Sequence, residues 1–561
     1  MKTIIITEKI GDVLWYIPKA LLDLEPNSPD VLFHRLKEIG SDSFLKNRID
    51  VDSSTTNDMK LHHNVTGKRF NLIKYGRSKQ FGSTNFFGED GKHDVYIKVF
   101  TCTSLLLKLK HLFIPSKARR EFFLSFKISE SGIPAVFSIA VGEKRCFGVL
   151  KRSYFIVKKI DNVLNLKEFF YDTGLNPLEK HAVLEEFGRT AGLCHRKGIL
   201  QTDFALNNFL VQRLGNNRFR IYLIDYERTK MCGHVTGKRE LWILAKLNRI
   251  GSDFSTCDKL RFLRAYINGV NEGGRRLNRL PETAKLIRDI ERETVKILRS
   301  GVQEMWTGCI KQHRKFKVYR SGTYGGYYLK GYDADLLISL LNNEENKAYV
   351  DEINFNSSSP TISSCVIDSS GEDQCLNYIV YRVKCGTPDF IDAFWQNSNA
   401  LLKGKIEVLE PLGLFFKFIN PGEKNGTDKV DPQGAEGFII TSHRHSVMDI
   451  KHFFNNLNSS EERKTFFLRL ALFICRIHNF GTFVSEICLC DIVVRQNEHN
   501  NRYYFLFMHT YNFLLNTSAD HAIRWMDIAR IVDYFGNEID ANEADFFRGM
   551  YSRYEKCYFE V

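Results

Sequence analysis

Thirteen cysteines are scattered through the 561 residues without a single C-x-x-C pair. Without that spacing there is no zinc ribbon or redox motif, and an odd number does not close a disulfide framework, so a reducing cytosol fits best. Cys488 and Cys490, the closest pair, would share one face of a strand and read as packing residues. No run of 18 apolar residues occurs anywhere, so no ordinary membrane-crossing helix is expected. The start, MKTIIITEKIGDVLWYIPKALL, sets Glu8, Lys9 and Asp12 where a signal peptide needs an unbroken apolar core, so any membrane contact is expected to be peripheral. Acidic residues are scarce in the first half. Residues 1–300 hold 52 Lys and Arg against 33 Asp and Glu, whereas 301–561 hold 27 against 33. Clustered positive charge concentrates anions, which points the first half at phosphates, a membrane surface or nucleic acid; a generic solubility charge is the plainer reading. No zinc spacing or aromatic RNA-binding signature accompanies the charge, so nucleic acid is not expected.

What is present is length and apolar content, with 43% hydrophobic and 13% aromatic residues. A chain this long exceeds one hydrophobic core, and two domains or more are expected. A weak internal similarity at an offset of about 283 residues supports this. Val141–Phe170 and Pro421–Phe454 share G-E-K, an aromatic-rich strand and a K-x-F-F helix start. Each is followed by an amphipathic helix. The first carries Val183, Leu184, Phe187, Ala191 and Cys194, and ends in His195, Arg196 and Lys197 before Gly198; the second carries Phe467, Leu470, Ile474 and Ile477 before His478 and Gly481. The boundary is expected around Arg299–Thr307, after the charged helix PETAKLIRDIERETVKIL, giving domains 1–300 and 305–561. The polar stretch Asn342–Ser364 reads as a mobile insertion.

The chemistry gathers in QTDFALNNFLVQRLGNNRFRIYLIDYERTK, Gln201–Lys230, where Asp203 and Asp225 each end an apolar run and bracket Asn208. Upstream, HDVYIKVF alternates as a strand holding Lys98, and ARREFFLSFKI reads as a helix holding Glu121. A kinase fold needs a strand lysine on the nucleotide phosphates, a helix glutamate to hold it, a loop aspartate at the acceptor hydroxyl, and an asparagine and second aspartate for Mg²⁺. Lys98, Glu121, Asp203, Asn208 and Asp225 supply these in that order. Alone, Lys98 reads as a solvated strand residue and Glu121 as a surface helix charge. In the second half the same register puts Glu486 at Asp203, Asp491 at Asn208 and Met508 at Asp225. A methionine does not ligate a hard cation, so that half is expected to lack the chemistry.

Residues from about 92 to 250 resemble the lipopolysaccharide-core kinases, which phosphorylate Kdo or heptose of the inner core. The resemblance rests on VYIKVF, KARREFFLSFKISESGIPAVFSIAVGEK, SYFIV, HRKGILQTDFALNNFLV and YLIDYER. It implies an α+β fold of tandem protein-kinase-like bilobal domains, the first catalytic and the second a pseudokinase-like degenerate copy. It also implies Asp203 as catalytic base, Asp225 as metal ligand and Lys98 on ATP, with ATP and Mg²⁺ as cofactors. Its substrate would be an anionic glycolipid, reached from the cytoplasm with peripheral contact to the inner membrane. Departures bear on the acceptor. Gln201 and Thr202 precede Asp203 in place of His and Arg, Tyr226 and Glu227 follow Asp225 in place of Phe and Gly, and no A-P-E follows. A long peptide-docking segment is therefore not expected, which moves the substrate toward a small molecule or glycan. The segment Tyr75–Gly91 contains glycines but no G-x-G-x-x-G.

Two other readings stay open: a non-catalytic nucleotide-binding scaffold, and a kinase for an aminoglycoside-like or choline-like alcohol. LLLKLKHLFIPSKARR, Leu105–Arg120, reads as an amphipathic helix whose leucines pack on the small lobe and whose charges meet phosphate-rich glycolipid; the alternative is a helix resting on an anionic leaflet.

Overall fold

The computed structural model of the chain describes residues 3–23, 28–41, 71–74, 78–84, 94–172, 175–233, 235, 237–249, 254–271, 280–311, 315–321, 323–342, 351–353, 361–368, 377–384, 388–417, 436–443, 447–483, 492–497, 502–507, 510, 513–515 and 521–558. It divides into two compact units, Met1–Lys285 and Leu286–Val561, each built of sheet and helix in the α+β manner. The division falls earlier than Arg299–Thr307. The helix Leu280–Gly308 runs unbroken through the expected boundary, and its Val302 and Met305 are buried in cores of the second unit.

In the first unit the strands β1 (Ile5–Ile10), β2 (Val13–Pro18), β3 (Asn71–Lys74), β4 (Lys79–Thr84), β5 (Val95–Thr101), β6 (Ser138–Cys146) and β7 (Val149–Lys158) form an antiparallel sheet in the order β1-β2-β6-β7-β5-β4-β3. Alternation decides the faces. Val95, Ile97 and Val99 pack with Trp15, Tyr154 and the Leu32 and Leu36 of helix Ser28–Gly40. On the opposite face, Phe100 and Phe155 pack with Phe122 of helix Lys117–Glu130. Lys98 shares that second face, so its side chain leaves the sheet toward the glutamate helix. Part of the Tyr75–Gly91 segment is β4 itself, and residues 75–77 and 85–91 lie outside the described residues.

The rest of the unit is mainly helical. Helix Pro177–Arg196 starts on Asn176, whose side chain accepts from the Leu178 amide, and it packs tightly on helix Thr256–Asn271. The two backbones approach through glycine: an ideal Cβ on Gly192 would lie 2.3 Å from the Tyr266 carbonyl oxygen. At the end of the first helix, Gly198 has φ +74° and presses on Cys232, letting β9 (Ile199–Gln201) pair with β12 (Thr229–Met231). A separate small sheet holds β8 (Val163–Asn165), β10 (Phe209–Gly215) and β11 (Arg218–Leu223), in the order β11-β10-β8.

The second unit repeats this order strand for strand. Its sheet runs β13 (Phe316–Arg320), β14 (Tyr324–Leu329), β18 (Glu410–Lys417), β19 (Glu436–His443), β17 (Asn377–Lys384), β16 (Thr361–Asp368), β15 (Asp351–Ile353). The smaller sheets β20 (Val447–Asp449), β22 (Ile492–Asn497), β23 (Arg502–Phe507) and β21 (Gly481–Phe483), β24 (Phe513–Leu515) match as well. A parallel bridge Ala135↔Leu223 has its partner in Val408↔Phe507. His195 Nδ1 meets the Tyr266 hydroxyl at 2.7 Å, and His478 Nδ1 meets Tyr551 at 2.7 Å. The expected insertion Asn342–Ser364 contributes β15 and the start of β16, while residues 343–350 and 354–360 lie outside the described residues.

The close helix approach gives a direct test. Gly192→Ala forces a Cβ into the facing backbone and is expected to lower stability by about 1–3 kcal/mol. Gly233→Ala, which meets nothing within 4 Å, is expected to be neutral. Calorimetric melting of both variants checks the difference.

Candidate functional site

Three residues far apart in sequence meet at Lys98. Its ammonium donates to Glu121 Oε2 at 2.9 Å and to Asp225 Oδ1 at 3.2 Å. Glu121 is buried on helix Lys117–Glu130, which begins on the N-cap Ser116, whose hydroxyl accepts from the Arg119 amide. Asp225 stands just past β11 with φ +58°, a left-handed conformation that aspartate tolerates better than most residues and that marks functional turns.

Neighbouring residues hold Asp225 in place. Gln201 donates through Nε2 to the carbonyls of Ile224 (3.2 Å) and Asp225 (3.3 Å), so the residue read as a departure supports the loop of Asp225. The Ile224 amide donates to the Asn208 carbonyl at 2.9 Å, and Thr202 Oγ1 donates to the Arg228 carbonyl at 3.0 Å. These bonds tie the loop of Asp203 and Asn208 to the loop of Asp225. Asn208 Nδ2 donates to the Asp203 carbonyl at 2.6 Å. The Asp203 carboxylate is half exposed and lies 3.7 Å from Arg228, with Lys246 donating to the neighbouring Thr202 carbonyl at 3.0 Å.

Sequence reasoning missed Glu227. It is bound by Lys79 of β4 at 3.2 Å and by Lys117 of the glutamate helix at 2.5 Å. Glu121, Asp225 and Glu227 each offer a carboxylate oxygen within 4.8 Å of the others. Glu121 Oε1 is buried without a hydrogen-bond partner among the described residues. The carboxylate oxygens of Asp225 and Glu227 are hard donors that suit a divalent cation such as Mg²⁺. The spacing Asp225-x-Glu227 was the available signal.

The electrostatics follow from one lysine serving two carboxylates. Burial alone would lower the Lys98 pKa, but Glu121 and Asp225 raise it above its usual value, keeping the ammonium charged. Burial pushes Glu121 up, with Lys98 offsetting only part of it. For Asp225, burial is outweighed by Lys98 and Lys79, and its carboxyl falls below the usual range. For Glu227, burial is likewise outweighed by Lys117 and Lys79.

Counterparts in the second unit can be placed by register. Lys98 pairs with Phe155, eight positions before β8 begins; Tyr381 pairs with Ile439, eight before β20. Glu121 stands fourteen positions before the bridge residue Ala135, and Phe394 fourteen before Val408. Tyr381 and Phe394 pack edge to face with ring centroids 5.2 Å apart. A buried ring pair thus replaces the ion pair. The second hairpin pairs Ile492 with Phe507 where the first pairs Phe209 with Leu223, and so carries one extra residue. The expected counterparts Glu486, Asp491 and Met508, like Cys488 and Cys490, lie outside the described residues.

With this geometry in hand, comparison with known proteins places the segment. Residues 92–266 match the lipopolysaccharide kinase (Kdo/WaaP) family. A relative, the lipopolysaccharide core heptose(I) kinase WaaP of Pseudomonas aeruginosa, is 26% identical over 157 residues, covering 27% of this chain and 59% of that protein. The chain therefore spans somewhat over half the length of this relative. A solved structure of WaaP in complex with acyl carrier protein aligns over 40% of this chain and 88% of that one, at 22% identity and a TM-score of 0.32. No described helix is long and apolar enough to cross a membrane.

Because Asp225 and Glu227 have folded pKa values below their unfolded ones, their contribution to stability is present above the unfolded pKa and is lost as pH falls through the folded pKa. Lys117→Met is therefore expected to lower the melting temperature at neutral pH. The deficit should narrow as pH falls through the folded pKa of Glu227, where that carboxylate takes up its proton. Calorimetry across that range measures it.

Proposed function

We propose that the chain is an ATP-dependent phosphotransferase whose first unit phosphorylates a sugar hydroxyl, on Kdo or heptose, of the lipopolysaccharide inner core, and whose second unit is non-catalytic. The observation that carries this reading is the convergence of Glu121 and Asp225 on Lys98. In a protein-kinase-like unit, Lys98 holds the nucleotide phosphates and Glu121 fixes Lys98 in place. Asp203 takes the proton of the acceptor hydroxyl as its oxygen bonds to the γ-phosphorus and the bond to the ADP oxygen breaks. Asp225, Asn208 through its side-chain oxygen, and Glu227 would hold Mg²⁺, which supplies charge neutralisation to the phosphates. Arg228 and Lys246 beside the Asp203 loop suit an anionic acceptor such as a sugar acid or phosphorylated core. The match of residues 92–266 and the name of the Pseudomonas relative support the acceptor class. The ring pair Tyr381–Phe394 supports a pseudokinase-like second unit, since it supplies no cation for a nucleotide phosphate and no carboxylate to hold one. A cytoplasmic location with peripheral membrane contact is consistent with this substrate.

The test is phosphate transfer from labelled ATP by the purified full chain to core oligosaccharide prepared from cells lacking it. Transfer to a core sugar is expected, with Asp203→Asn lowering turnover about 10²–10⁴-fold while ATP-dependent stabilisation persists. Full turnover in that variant would remove Asp203 from its role. Transfer to a choline-like or aminoglycoside-like alcohol but not to core sugar would change the acceptor class.

A further inference from the structure

Helix Leu105–Phe113 turns its apolar side outward. Leu106 is 79% exposed, Leu105 72% and Phe113 90%, with Leu109 and Leu112 also exposed, whereas the buried side chain of the helix is His111. The expectation that these leucines pack on the small lobe is therefore corrected: periodicity finds the apolar stripe, but the stripe faces solvent. At 100° per residue, Leu105, Leu109, Leu112, Phe113 and Leu106 form one face, with Lys108 along one margin and Lys110 along the other.

The helix is fastened in this orientation. His111 Nδ1 lies 3.2 Å from the Ile114 carbonyl, and Arg145 Nη1 donates to the carbonyls of His111 and Gly148, both at 2.9 Å. Arg145 thus joins the helix to the β6–β7 turn. That turn presents Phe147, fully exposed at φ +49°, and an ideal Cβ on the next residue, Gly148, would lie 3.9 Å from Leu112. Two separate elements contribute to one apolar surface. From Ser104 to Arg120 there is no acidic residue, and neither Lys108 nor Lys110 forms an ion pair among the described residues.

We propose that this surface, the outer face of helix Leu105–Phe113 together with Phe147, inserts into the interfacial layer of an anionic phospholipid bilayer. A protruding apolar stripe with lysines on both margins and no acidic residue from Ser104 to Arg120 matches what an interfacial helix requires: side chains to bury at the acyl boundary and ammonium groups to meet headgroup phosphates. The charge complementarity selects a bilayer of net negative charge over a neutral one. The surface ends four residues before Lys117 starts the Glu121 helix, so it would hold that helix close to the membrane. The inference does not depend on the transfer reaction proposed above; a chain that bound vesicles without transferring phosphate would still satisfy it.

The full chain is mixed with vesicles of equimolar phosphatidylglycerol and phosphatidylcholine, or of phosphatidylcholine alone, and sedimented. Binding is expected to the first composition only, and to weaken as salt rises. Lys108→Gln with Lys110→Gln is expected to reduce partitioning about thirtyfold, from about 1 kcal/mol per basic residue. Leu109→Asp with Phe113→Asp is expected to abolish it without changing the melting temperature, because those side chains are exposed. Unchanged binding in either variant, equal binding to both compositions, or a large fall in melting temperature in the second variant would overturn the proposal. So would a dimer in solution that the aspartates dissociate, since a second copy would then be the occupant.

Discussion

One buried lysine organises the first unit. Lys98 lies on the sheet face turned toward the Lys117–Glu130 helix, and its charge is sustained there by Glu121 and Asp225. A buried carboxylate is tolerated only when paired, and removing one partner of such a pair typically costs about 3–5 kcal/mol. Glu121 therefore fixes the distance between helix and strand, and Asp225 draws the loop after β11 to the same point. Lys79 and Lys117 extend the constraint through Glu227, so sheet, helix and loop share one charge network. Gln201 and Thr202 then set the Asp203 loop against it by bonding backbone carbonyls.

The second unit shows what remains when that constraint is lifted. The strand order, the parallel bridge and the His–Tyr bond at the end of the long helix are all retained. At the position of the ion pair stands an edge-to-face aromatic pair, which packs the same helix on the same strand without desolvating any charge. The scaffold is thus separable from the Lys98 ion pair.

The order Lys98, Glu121, Asp203, Asn208, Asp225 was legible because each residue sits on an element whose period is readable nearby. Glu227 was passed over although the spacing Asp225-x-Glu227 is visible, because the lysines that hold it lie 148 and 110 positions away. Gln201 looked like a loss when compared with a motif, yet its amide carries out a positioning task that needs only a donor. The leucines of Leu105–Phe113 were misread for a different reason: a periodic stripe fixes a face but not the direction in which it points, and only the burial of His111 decides that. The two units divide before Arg299–Thr307 because a continuous helix belongs to whichever core buries its apolar residues, and Val302 and Met305 are buried in the second unit.

The central claim is that Mg²⁺-nucleotide binds the first unit through the Lys98 network and that the second unit binds none. Amide hydrogen exchange of the full chain, with and without Mg²⁺-ATP, addresses both halves in one measurement. Slowed exchange is expected in β4, β5, the Gln201–Phe209 loop and the Asp225–Thr229 turn, with β16, β17 and the Pro388–Lys403 helix unchanged. Protection around Tyr381 and Phe394, or none in the first unit, would contradict it.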